Sequence, residues 1–175
     1  KTQLVTKGAV EEMLLCCAYA ERGGQVCPLT PELRRFVMEK AYQLNEKGMR
    51  VIGVAQKTNP APEGQFSVAD ERDMVLIGFL AFLDPPKETS RAAISALKEY
   101  GVAVKVLTGD NDKVTAAICR QVGLEADHIL LGEALESMDD ETLGREGERI
   151  QVFAKLTPEQ KAQIIQILRD EGHSV

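Results

Sequence analysis

Two stretches of the chain are nearly continuous in apolar residues, 74–83 (MVLIGFLAFL) and 102–107 (VAVKVL), and helical patterns lie around them. Apolar runs of this kind predict strands buried inside a sheet, and 102–107, with three valines among six residues, reads as one buried on both faces, as in a parallel sheet. After 102–107, Val114, Ala117, Ile118 and Val122 recur at helical spacing. Ala92, Ala93, Ala96 and Leu97 predict a helix that closes at Gly101. A short strand at 129–131, a weak helix at 140–146 and a strand at 150–154 come next. Thr157-Pro158-Glu159-Gln160 reads as a capping box with proline in the first turn, opening a helix that buries Ile164, Ile165 and Leu168 and stops at Gly172. Ser174 and Val175 predict the first residues of one more strand. The second half thus reads βαβαβαβαβ, a doubly wound parallel sheet.

The first half alternates less. A strand is predicted at 1–6, then a helix burying Val10, Met13, Leu14 and Cys17. Gly23-Gly24 marks a turn. Thr30 offers an N-cap with Pro31 behind it, and Leu33, Phe36, Val37, Ala41 and Leu44 form the stripe of a second helix that stops at Gly48. Residues 49–56 (MRVIGVAQ) predict a strand entered by Arg50. The stretch 57–70 holds Pro60, Pro62 and Gly64 among small polar residues, a surface connection and domain boundary. The division expected is therefore 1–73, a partial α+β unit, and 74–175, the parallel-sheet unit. Two strands and two helices make a thin core, so 1–73 is expected to complete its sheet with residues outside this chain.

At 175 residues the chain has room for one ordinary domain or two small ones. A formal charge of −6 argues against nucleic acid or an anionic membrane as partner, so a phosphate ligand must be met by locally placed cations. No apolar run reaches the ~18 residues that cross a bilayer, which predicts a soluble chain. Cys16, Cys17, Cys27 and Cys119 show no paired spacing and read as reduced structural thiols. The chain opens at Lys1 and ends at Val175 inside expected strands, as a piece of something larger would.

Candidate chemistry gathers at strand ends. Thr108-Gly109-Asp110 follows a buried strand and precedes a helix, which makes a rim of free backbone N–H groups suited to an anion, with the Thr108 hydroxyl as a further donor. The plainer reading is a βα turn capped by Asp110 or Asn111. Asp84 and Lys155 also fall at expected carboxyl ends of strands, and Lys161 lies one turn into the next helix. Lysines that neutralise transferring oxygens, beside carboxylates that hold Mg²⁺, are the parts of phosphoryl chemistry; solubility alone also accounts for two surface lysines. Lys7 lies beside Gly8 ahead of a helix, where an ammonium would meet a nucleotide with little obstruction or simply stay solvated.

Lys7-Gly8-Ala9, Asp84-Pro85-Pro86-Lys87, Thr108-Gly109-Asp110 and the run from Phe153 through Lys161 (FAKLTPEQK) stand in the order and spacing of the P-type ATPases. The resemblance covers essentially the whole chain. The wording AFLDPPKET at 81–89 looks most like the bacterial magnesium-importing branch. It implies a nucleotide-binding part at 1–73 and a haloacid-dehalogenase-like phosphorylation part at 74–175, on the cytoplasmic face of the bacterial plasma membrane. Lys7 and Gly8 match the motif that lies against ATP, and Arg50 the arginine that reaches the nucleotide phosphates. Thr108 and Gly109 match the phosphoryl contacts, with Asp110 at the nucleotide and Lys161 as the lysine that holds the phosphorylated aspartate. Lys155 stands where relatives often carry arginine. Asp84 matches a hinge-side aspartate.

The resemblance implies ATP and Mg²⁺ as cofactors of the intact protein, and its other domains and transmembrane helices as partners. The family's DKTGT aspartate has no counterpart here, and its GDGxND motif would begin beyond Val175, so no metal ligand is expected within the chain. The rival readings are a soluble phosphohydrolase of the haloacid-dehalogenase superfamily, a non-catalytic nucleotide-binding module, and a pump for Ca²⁺ or H⁺.

Overall fold

The structure, a computed structural model, describes residues 2–59 and 64–175 and divides the chain into two compact units, Lys1–Leu83 and Asp84–Val175. Pro60, Pro62 and part of the expected linker lie outside the described residues.

Among the described residues the first unit holds five strands, where two are expected in 1–73. They are β1 (Gln3–Ala9), β2 (Cys17–Arg22), β3 (Gln25–Pro28), β4 (Met49–Thr58) and β5 (Met74–Leu83), ordered β1-β4-β5-β2-β3. β4 runs antiparallel to both β1 and β5, β2 runs parallel to β5, and β2 and β3 form a hairpin. Gly23 and Gly24, both at positive φ, make its two-residue turn, whose twist suits flanking strands. β5 corrects the expected boundary: the run 74–83 lies within the first sheet and does not open the second. Both of its edges are hydrogen-bonded there, and Asp84 follows a strand of that sheet. Only Met74 and Leu76 at its start are buried, whereas Leu80, Phe82 and Leu83 are exposed.

Helices α1 (Val10–Cys16) and α2 (Pro31–Glu46) pack against this sheet. Val10, Met13 and Leu14 of α1, with Val37 and Ala41 of α2, close over Ala55, Met74 and Leu76. Cys17, expected on the helix, is the first residue of β2 and part of the same core. α2 begins as its sequence predicts, with Thr30 accepting from the Leu33 N–H (3.3 Å) ahead of Pro31, but of the expected stripe only Val37 and Ala41 are buried and Phe36 is exposed. Arg34 donates to the Leu14 and Cys17 carbonyls, tying α2 to the end of α1, and buried Asn45 donates to the Met49 carbonyl (2.8 Å).

The second unit carries one sheet of three short parallel strands, β6 (Val106–Leu107), β7 (Ile129–Leu131) and β8 (Val152–Ala154), ordered β6-β8-β7. The pattern predicts five strands. One of those is β5, and 174–175 form no strand. The expected strand 102–107 shortens to its last two residues, because β8 has only three residues to pair with. The helices are α3 (Ser90–Glu99), α4 (Asp112–Val122), α5 (Gly132–Leu135), α6 (Asp140–Arg149) and α7 (Pro158–Asp170). Val152 packs with Cys119 and Val122 of α4, and Phe153 with Leu143, Ile164 and Leu168 of α6 and α7. Neighbouring residues of a strand face opposite ways, so β8 is the shared centre of two cores. Lys105 donates to the Glu148 and Ile150 carbonyls (2.9 and 2.8 Å) at the C-terminal end of α6, and burial holds its pKa below the usual lysine value. Among the described residues no helix is long and apolar enough to cross a membrane.

All four cysteines are free. Cys17 and Cys119 are buried, and burial pushes the Cys17 thiol from 9.0 to about 11, with Cys16 adding to the rise and Arg34 opposing it. In a thiol titration at pH 8, Cys16 and Cys27 should react first, and Cys17 and Cys119 only once urea unfolds the chain. All four reacting at one rate would contradict this packing. The raised thiol also sets a sign: the stability it contributes is complete below pH 9 and is lost as pH climbs towards 11, because the unfolded chain sheds that proton first.

Candidate functional site

Each unit places part of the expected chemistry. In the first, strand register decides the geometry. Lys7 pairs with Val54, Gly8 with Gly53 and Arg50 with Phe82. Directly paired residues share a face and alternate residues of a strand share it too. Lys7, Val54, Ile52 and Arg50 therefore lie on one side of the sheet, joined by Leu80 and Phe82 of β5. The opposite side is the one α1 covers: a Cβ built at Gly53 would stand 2.9 Å from the Met13 Cβ and 3.6 Å from the Val10 Cα. Gly8 also faces α1, with the Met13 methyl 3.2 Å from where its Cβ would lie. A side chain at Gly8 would press on that methyl.

Lys7 and Arg50 are both exposed. Four residue steps of β4 lead from Arg50 to Val54, the partner of Lys7, which is about 13 Å along the strand. Between them runs an apolar strip in which Leu80 is 53% and Phe82 49% exposed. Two cations flanking exposed apolar surface suit a ligand with a flat apolar part and an anionic tail. The motifs point to the cations only. The strip was readable in the alternation of β4, but the continuous run of β5 reads as wholly buried and conceals Leu80 and Phe82.

In the second unit the loop after β6 is woven to the residues after β8. Thr108 N–H donates to the Phe153 carbonyl (3.1 Å), Leu156 N–H to the Thr108 carbonyl (3.0 Å) and Lys155 N–H to the Asp110 carbonyl (2.8 Å). The Thr108 hydroxyl donates to the Asp110 carboxylate and accepts from the Asp110 N–H, both at 3.1 Å. Asn111, not Asp110, caps α4, its side chain accepting from the Val114 N–H (3.0 Å). Gly109 lies exposed at the tip of this turn. Lys155 is exposed with a left-handed backbone, φ 53°, and Lys161 is half-buried in the first turn of α7. Thr108, Gly109, Asp110 and Lys155 thus form one continuous rim, and the capping box of Thr157 and Gln160 sets the helix that carries Lys161. Among the described residues no three His, Cys, Asp or Glu side chains cluster as a metal site would.

Residues 1–89 match the family model for the P-type ATPase cytoplasmic domain N. The magnesium-transporting ATPase, P-type 1, of Escherichia coli K12 is 43% identical over 173 residues, 99% of this chain and 19% of that protein. A protein of the same name from Salmonella typhimurium is 44% identical over 178 residues, covering 98% of this chain and 19% of its own. A calcium-transporting ATPase of Listeria monocytogenes is 33% identical over 171 residues, 97% of this chain and 19% of that protein. The chain belongs to the P-type ATPases. It spans about a fifth of the length of these relatives.

Proposed function

We propose that this chain is the ATP-handling cytoplasmic part of a pump that moves Mg²⁺ inward across the bacterial plasma membrane by way of an aspartyl phosphate. One observation carries the nucleotide part: Lys7 and Arg50 share the sheet face that α1 leaves open, with the strip of Ile52, Val54, Leu80 and Phe82 between them. The strip would seat the base, Lys7 would lie against the nucleotide at one end of it, and Arg50 would receive the phosphates at the other. ATP supplies the phosphoryl group when bound. The Thr108–Gly109–Asp110 turn, with Lys155 and Lys161, would receive that group in a second, haloacid-dehalogenase-like unit whose strand β8 is apolar on both faces. The identity to magnesium-transporting relatives supports the choice of ion, and the other domains of the same pump are the partners. Mg²⁺ fits as a counter-ion of the nucleotide, since the described residues offer it no cluster of their own. The sequence contains no DKTGT aspartate, so the chain alone should release no phosphate from ATP.

The test is an ATP titration of the isotope-labelled chain. Amides around Lys7 and Arg50 should move before those around Thr108, with a dissociation constant of roughly millimolar. Lys7→Ala should weaken binding about fivefold, the worth of one exposed charge contact near 1 kcal/mol. A response confined to the Thr108 loop, or one unchanged by Lys7→Ala, would remove the sheet face from the nucleotide site. Steady phosphate release that Lys161→Ala abolishes would favour a soluble hydrolase.

A further inference from the structure

We infer that Gly132 and Gln160 are positioning residues for the phosphoryl-binding rim, an inference that rests on reading the Thr108 turn as that site. Lys155 holds a left-handed backbone that residues with a Cβ seldom adopt, so its surroundings must impose it. On one side the Thr108 loop does so, through the bonds from Lys155 N–H to Asp110 and from Leu156 N–H to Thr108. On the other side stands Gly132, the first residue after β7. A Cβ there would lie 2.4 Å from the Lys155 carbonyl oxygen and 2.6 Å from Gln160 Oε1. Only a residue without a side chain admits both. Gln160 closes the arrangement: its amide donates to the Gly132 carbonyl (2.9 Å) and accepts from the Thr157 N–H (3.0 Å). The ends of β6, β7 and β8 are thereby cross-tied through one amide, one glycine and one strained lysine. Gln160 immediately precedes Lys161, so the same tie fixes the turn of α7 that carries it.

The consequence is specific. A helix cap alone would affect stability, whereas a tie to Gly132 sets the Lys155 turn and the rim it supports. The experiment titrates the labelled full chain and its variants with inorganic phosphate, following the Thr108, Gly109 and Asp110 amides, and reads the Lys155 backbone from residual dipolar couplings without phosphate. Gln160→Ala and Gln160→Glu both remove the donor to Gly132, and each should shift the Lys155 couplings and weaken phosphate about fivefold, the usual worth of one hydrogen bond. Gly132→Ala should do the same or more. Thr157→Ala removes the cap oxygen but leaves the bond to Gly132, so it should lower the urea midpoint with phosphate affinity unchanged. Gln160 variants that lose stability but keep both the couplings and the affinity would reduce Gln160 to a cap and overturn the inference alone. An unaltered chain that shows no phosphate response at the Thr108 turn would overturn the site reading and the inference with it.

Discussion

Phe153→Ala should lower the stability of the second unit by about 3–5 kcal/mol, the range for truncating a buried aromatic. Phe153 is 0% exposed, sits in the middle strand of the three and pairs with Leu107 on one side and Leu130 on the other. Its side chain packs with Leu143, Ile164 and Leu168, so the void would open between the sheet and two helices at once. Its carbonyl accepts the Thr108 N–H, which places the loss directly under the candidate rim. Total stabilities of about 5–15 kcal/mol leave little room for such a change. The check is a urea titration followed by the amides of β6, β7 and β8. A midpoint within error of the unaltered chain would mean that this core is not where the unit's stability lies.

Gly53→Val tests the first unit in the opposite sense, by adding atoms. The new side chain would meet the Met13 Cβ at 2.9 Å and Cγ at 3.0 Å, with the backbone of α1 close behind. Overpacking of this kind costs about 1–3 kcal/mol, and here a helix has to lift from the sheet. Met13→Ala should recover part of the loss in the double variant, although each change alone destabilises. Strict additivity of the two would show that α1 does not rest on Gly53.

The elements legible in the sequence are those whose signals are local. Thr30 with Pro31, Asn111, and Thr157 with Gln160 each cap a helix within three residues, and each does so in the structure. The run 74–83 was not legible in the same way. A continuous apolar strand suits the middle of any sheet, and which sheet it joins depends on pairing with β2 and β4, at least sixteen residues away. The hairpin of β2 and β3 lay behind Gly23-Gly24, which marks a turn in either case, because the flanking residues mix Cys, Ala, Tyr and charge without clean alternation. The candidate residues themselves were legible as motifs. Their setting was not: that Gly8 faces Met13, or that Gly132 meets Lys155, follows from contacts no spacing rule encodes.

The central place of β5 bears on how the chain is made. β5 alone joins the pair β1–β4 to the pair β2–β3, yet it is the last strand of its unit to be synthesised. Twenty-five residues separate the end of β4 at Thr58 from the end of β5 at Leu83. At about 5–20 residues per second, the growing chain spends about one to five seconds with two strand pairs made and no strand to join them. Throughout that interval Ala55, Val10 and Met13 lack the cover that Met74 and Leu76 provide, and a chaperone at the ribosome exit would find its target there.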